Sequence, residues 1–183
     1  MKTFVAFAVL SVATLLVVVG CDNEAESTRS AAPAATPVAA ASLPAGMVVT
    51  AAPAGAQDLD AVKKSAKDGD AVVVNAWIGG ADEPMAKNRA MMTVADVSLP
   101  SCDKTPMDTC KTPWDSCCEA IETRTAKTAT VQVVDAAGKP LAGTLENVAG
   151  LKPLSKVTVA GIARRPAGSE TLVIEAKQIH VTQ

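Results

Sequence analysis

Residues 57–183 fall into short segments of alternating apolar residues, separated by turns rich in Gly, Asp and Pro, and that division points to a small β-domain. The clearest segment is Ala71–Ile78. Val72, Val74, Ala76 and Ile78 share one face, while Val73, Asn75 and Trp77 share the other. Lys67-Asp68-Gly69-Asp70 precedes it as a turn, and Gly79-Gly80 ends or bends it. Residues 89–97 read as a second strand. Residues 128–134 read as a third, closed by Asp135-Ala136-Ala137-Gly138. A short helix is expected over 144–148, with Gly150 as its stop. A fourth strand follows over 156–163 and a fifth over 171–181, joined by Arg165-Pro166-Ala167-Gly168. Ahead of the first strand, Leu59, Val62 and Ala66 stand at helical spacing behind Asp58, a residue suited to an N-cap.

Three strands, a short helix and two more strands resemble the OB-fold, a small five-stranded Greek-key barrel. Gly69-Asp70-Ala71-Val72-Val73-Val74 is similar to the opening of its first strand. Lys156-Val157-Thr158-Val159-Ala160-Gly161 is similar to its fourth, and residues 172–181 to its fifth. The resemblance covers about two thirds of the chain and implies a mainly β fold with one short helix. Such a barrel hosts many activities, so it selects none.

The N-terminal third differs in kind. Met1-Lys2 supplies a short positive start. The apolar run from Phe4 to Val19, broken only by Ser11 and Thr14, has the length of a signal segment. It ends in Val18-Val19-Gly20-Cys21, which resembles the lipobox of bacterial lipoproteins. That resemblance implies cleavage after Gly20, a diacylglycerol thioether on Cys21, and a further acyl chain such as palmitate on the new amino group. One chain anchors only marginally, whereas two or three hold a protein on a membrane. Residues 1–20 are therefore expected to be a signal peptide, and the domain to face the periplasm from a lipid anchor. Asp22 resembles the inner-membrane retention signal of enteric bacteria, and the choice of membrane stays open. Residues 22–56 are rich in Ala, Pro and Ser. Pro33, Pro37, Pro44 and Pro53 interrupt any helix, so the composition predicts a disordered tether reaching about 30–35 Å. Met47-Val48-Val49-Thr50 is its one stretch fit to dock as an edge strand.

Once Cys21 is set aside, an even number of cysteines remains: Cys102, Cys110, Cys117 and Cys118, all within the loop 101–118 between the second and third strands. An even count in an exported chain points first to disulfides. Pairing Cys117 with Cys118 would close a strained ring across one peptide bond. That leaves Cys102–Cys117 with Cys110–Cys118, or Cys102–Cys118 with Cys110–Cys117. The rival is a metal site, because four thiolates suit Zn²⁺ or Cu⁺. Met107 offers a soft thioether beside them, with Asp103, Asp108 and Asp115 nearby. Against metal, no C-x-x-C pair is present, and adjacent cysteines fit a single tetrahedral ion poorly. The missing C-x-x-C also argues against a catalytic oxidoreductase.

Trp114 follows Pro113 in the same loop. It is either a ligand contact on a rigid loop or a cover for the cysteines. Arg164 and Arg165 border the turn between the last two strands, where an OB-type ligand face ends, and either anion contact or a solvated turn suits them. His180 is the sole His, so no catalytic triad can be assembled, and Asp82-Glu83 reads as a solvated turn. Net charge is −2, and loss of Lys2 with the signal makes it more acidic. Both Phe residues also leave with the signal and there is no Tyr, so base-stacking platforms are nearly absent and nucleic acid is disfavoured. The expectation is a non-catalytic, lipid-anchored domain without a cofactor. It would bind an envelope protein or small ligand, or support envelope structure. A metal-binding lipoprotein, and an OB-type binder of oligonucleotide or oligosaccharide, are the alternatives.

Overall fold

The computed structural model of the protein describes residues 38–104 and 110–182. The signal segment, Cys21 and the tether up to residue 37 lie outside the described residues, as do 105–109 with Met107 and Asp108. Among the described residues, the strands and helices follow in chain order: β1 (Val48–Val49), β2 (Gln57–Asp58), α1 (Leu59–Ser65), β3 (Ala71–Ile78), β4 (Met91–Ala95), a 3-10 turn (Cys102–Lys104), α2 (Ile121–Lys127), β5 (Thr128–Gln132), β6 (Lys156–Arg164) and β7 (Val173–Thr182).

Five of the strands close into an OB-like barrel. β3 pairs antiparallel with β4 and with β6, β4 with β5, and β6 with β7. The parallel pair β5–β7 completes the ring. The alternation read in Ala71–Ile78 places Val74, Ala76 and Ile78 inside, beside Met92, Val94, Val131, Val157, Val159 and Ile179. In β7 the period of two breaks. Ile174 and Ala176 point inward, Lys177 and Gln178 are exposed, and Ile179 turns inward again, because the register with β6 shifts between Ala160 and Gly161. Such a bulge bends the strand and helps a short sheet close on itself. Gly161 permits it, since a Cβ there would stand 2.4 Å from the Glu175 carbonyl oxygen.

Three expectations are corrected. Residues 144–148 form no helix. Thr144 instead pairs with the N-terminal segment, through Ala41 N to Thr144 O (2.8 Å) and Thr144 N to Ala39 O (2.9 Å), and tight turns follow with Asn147 and Ala149 at positive φ. The helix next to the third barrel strand is α2, which precedes it and was not expected, whereas α1 stands where the helical spacing behind Asp58 placed it. Finally, residues 38–56 belong to the ordered body. Ala41 and Met47 are buried in the core, and β1 runs parallel to β7, so the docking strand expected at 47–50 does form.

Helix α1 begins after Asp58, yet the Asp58 side chain makes no capping bond. The cap comes from afar: the Asp60 amide donates to Asp96 Oδ2 at 2.7 Å. Asp96 also accepts from the amide and hydroxyl of Ser98 at 2.9 and 2.6 Å. Burial pushes the Asp96 carboxyl up, but these bonds and the charge of Lys127 outweigh it and hold it below the ordinary carboxylate range. A depressed acid stabilises the fold above its unfolded value, near pH 3.9, and that stability is lost as pH falls through the lower folded value. Acid unfolding of the wild type should therefore steepen below about pH 4, and Asp96→Asn should flatten that limb in thermal melts taken from pH 6 to pH 2. Equal pH slopes would contradict this role.

Candidate thiol site

Two glycines at the end of β3 fix the cysteine loop to the barrel. The Gly80 amide donates to the Trp114 carbonyl at 2.9 Å. Gly79, at φ +154, lies where a Cβ would be 2.0 Å from the Trp77 ring and 2.4 Å from that same carbonyl oxygen. Trp77 packs outside the barrel against Ala95 and Leu99, and its ring N–H donates to the Asp96 carbonyl at 3.0 Å. The two arms of the loop run side by side, with Cys102 N donating to Asp115 O (2.8 Å) and Asp103 N to Pro113 O (3.1 Å). Thr112-Pro113-Trp114-Asp115 makes a turn closed by Asp115 N to Thr112 O at 2.9 Å. Ser116 ties the returning arm back through its hydroxyl to Pro100 O at 2.7 Å. The buried Asp115 carboxylate lies 3.8 Å from Arg124 of α2, linking that helix to the loop.

This scaffold gathers the four sulfurs. The Sγ atoms of Cys102, Cys117 and Cys118 all lie within 4.8 Å of one another. Cys117 Sγ is 3.3 Å from Cys102 Sγ and 3.6 Å from Cys110 Sγ. A disulfide requires about 2.05 Å, so Cys102 and Cys117 are close but not bonded to each other. Cys102 is 3% exposed, Cys110 half-buried, and Cys117 and Cys118 exposed. Burial pushes the Cys102 thiol up to about 12. Cys110 is held below the ordinary thiol range, chiefly by hydrogen bonding with the hydroxyl and backbone of Thr112; its sulfur is 3.3 Å from that hydroxyl. In Cys117 the bond with Cys102 lowers the value, and the bond with Cys110, burial and the neighbouring sulfurs outweigh it, leaving it raised.

The remaining candidate residues divide. Trp114 adjoins the cysteines, and its ring N–H donates to the Asp82 carbonyl at 2.8 Å. The ring lines a cavity of about 600 Å³ with Pro84, Met85, Pro113 and Leu154. Arg164 and Arg165 have structural partners. Arg164 pairs with Glu175 at 3.0 Å. Arg165 reaches the Ala66 carbonyl at 3.3 Å and the Lys63 carbonyl, capping the C-terminus of α1. His180 sits opposite Thr158 in the barrel wall, and its Nδ1 is one of two buried side-chain polar atoms without a partner among the described residues. The Gly79–Gly80 clamp, Thr112 and the Asp115–Arg124 link had no functional reading in the sequence. The only signal for them was the turn-forming Thr-Pro-Trp-Asp run and the Gly pair.

The chain matches no protein-family model, no curated protein and no solved structure.

Proposed function

We propose that this is a lipid-anchored, non-catalytic envelope protein whose barrel carries a binding site for a thiophilic metal ion. The observation behind this reading is the convergence of the Cys102, Cys117 and Cys118 sulfurs within 4.8 Å of one another, with the Cys110 sulfur 3.6 Å from that of Cys117. An ion about 2.3 Å from each sulfur spaces tetrahedral ligands about 3.8 Å apart. The pairs at 3.3 and 3.6 Å fall close to that value and well outside a covalent bond. Thiolate-only donors suit soft or borderline d¹⁰ ions over Mg²⁺ or Ca²⁺. Binding would displace the thiol protons, so affinity should rise with pH.

The test is anaerobic titration of the reduced full-length protein with Cu⁺, Zn²⁺ and Cd²⁺, with thiols counted before and after. One tightly held ion that protects the thiols from alkylation supports the reading. Disulfides in the protein as extracted from membranes, with no ion taken up after reduction, would instead favour the crosslinked loop. The anchor is tested separately: Cys21→Ser should move nearly all of the protein from the membrane pellet to the soluble fraction. Continued sedimentation with membranes would refute a lipid at that position.

A further inference from the structure

We propose that the barrel face around Leu154 rests on an anionic lipid surface. Among the described residues, two of the exposed large apolar side chains, Val97 at 52% and Leu154 at 37%, line one hollow of about 400 Å³ together with the buried Trp77 and Leu99. Leu154 also borders a second hollow of about 730 Å³, with Lys152, Pro153 and Val181. Lys156 lines both, so the two form one continuous face. The sheet supports that face: pairing sets Ala95, Trp77, Lys156 and Thr182 in a single row across β4, β3, β6 and β7. Leu154 is held outward at a backbone cost. Its φ is +69, a left-handed conformation that glycine or asparagine adopts more readily. Its amide donates to the Ile78 carbonyl at 2.8 Å, and Ser155 N closes the turn on Lys152 O at 3.1 Å, so the side chain cannot turn inward without breaking these bonds. A strained, exposed leucine is unfavourable in water and useful against an apolar surface.

Charge selects the occupant. The two hollows are lined by three lysines, Lys104, Lys152 and Lys156, and by one acid, Asp103, which is paired with Lys104 at 3.0 Å. Lys152 and Lys156 are exposed and join no ion pair among the described residues. The face is therefore positive in a chain whose net charge is −2. Apolar knobs ringed by lysines suit a bilayer: the knobs enter between headgroups, the lysine stems lie along the surface, and the ammonium groups meet phosphates. Each lysine held near an anionic surface strengthens binding about fivefold. The choice of a bilayer over an acidic protein rests on the lipid-anchored reading above. A lipid on Cys21 stands seventeen residues before Val38, a length that spans no more than about 60 Å, so an anchored body stays within reach of the membrane. The face is then a second membrane contact, one that fixes which side of the barrel meets the lipid.

The experiment inserts the full-length, lipidated protein into preformed vesicles of phosphatidylcholine alone, or with about one third phosphatidylglycerol to make the surface anionic. A membrane-impermeant acetylating reagent then labels exposed amines, and mass spectrometry reads the rate at each lysine. Lys152 and Lys156 should label about fivefold more slowly on the anionic vesicles, with the exposed Lys64 and Lys177 unchanged. Salt at about 0.5 M should remove the difference by screening. Leu154→Asn, which suits a left-handed turn, and Lys152→Glu should each return Lys156 to its rate on neutral vesicles while melting like wild type. Equal labelling on both vesicles, or protection that both variants keep, overturns the face and leaves the anchor standing. Protection in native membranes but not on protein-free anionic vesicles assigns the face to an acidic protein and also overturns it. A protein that fails to float with neutral vesicles, yet binds anionic ones with Lys152 and Lys156 protected, overturns the anchor reading and leaves the face standing.

Discussion

Cys117→Ser is expected to abolish the proposed metal binding while leaving the barrel intact. The Cys117 sulfur lies 3.3 Å from that of Cys102 and 3.6 Å from that of Cys110, so its loss removes a member in contact with both. A serine oxygen is a hard, weakly acidic donor, and affinity should fall roughly 100-fold or more by equilibrium competition against a chelator. The side chain is exposed, so the metal-free variant should melt within a degree or two of wild type, as surface changes of about ±0.5 kcal/mol imply. The disulfide alternative predicts the opposite pattern. Removing a native crosslink costs about 2–4 kcal/mol, and the variant would melt several degrees lower in the oxidised state with no change in metal uptake. Calorimetry and metal competition on the same samples separate the two, and a lowered melt with unchanged metal binding would sink the metal proposal.

The sequence was most informative where local and tertiary demands agree. Ala71–Ile78 was legible to the residue because glycine turns bracket an alternation that the barrel interior uses directly. The other barrel strands were found with frayed ends, since pairing, not side-chain pattern, decides where they stop. Helix α2 was missed because none of its residues is buried, so it carries no apolar period. What holds it lies elsewhere in the chain: Lys63 donates to the Thr125 and Thr128 carbonyls, and Asp115 pairs with Arg124. The false helix over 144–148 had acceptable residues but a tertiary veto. A Cβ on Gly143 would come within 2.7 Å of the Ala41 amide nitrogen, and the strand-like pairing of Thr144 with Ala39 and Ala41 excludes helix. Composition likewise hid the docking of residues 38–56, because it depends on a few side chains such as Met47 finding a place on a barrel that the segment itself does not specify.

The thiol site shows the same division. That four cysteines share one loop was plain from spacing. Which sulfurs meet was not, because the loop's path is set by a contact between distant parts of the chain, the Gly80 amide on the Trp114 carbonyl.

That dependence makes Gly79→Ala the most damaging single substitution expected outside the barrel core. Three costs coincide there. The alanine Cβ would sit 2.0 Å from the Trp77 ring and 2.4 Å from the Trp114 carbonyl oxygen, and the backbone holds a φ of +154 that side chains avoid. Relief by moving the indole is restricted by its hydrogen bond to Asp96 O and its packing on Leu99. Relief by moving Trp114 would break its bond to Gly80 and shift Cys110, Cys117 and Cys118 relative to Cys102. Overpacking and backbone strain together should cost about 3–5 kcal/mol, a fall in melting temperature of roughly 10–20 °C for a body of this size. Gly69→Ala is the control. Its φ of +87 is also unfavourable, but nothing lies within 4 Å of the added carbon, so it should cost only about 1–2 kcal/mol. Metal affinity distinguishes the clamp from general strain: at a temperature where both variants are folded, Gly79→Ala should bind thiophilic ions at least tenfold more weakly, and Gly69→Ala should match wild type. Equal affinities would mean that the Gly79–Trp114 contact supports the fold without positioning the sulfurs.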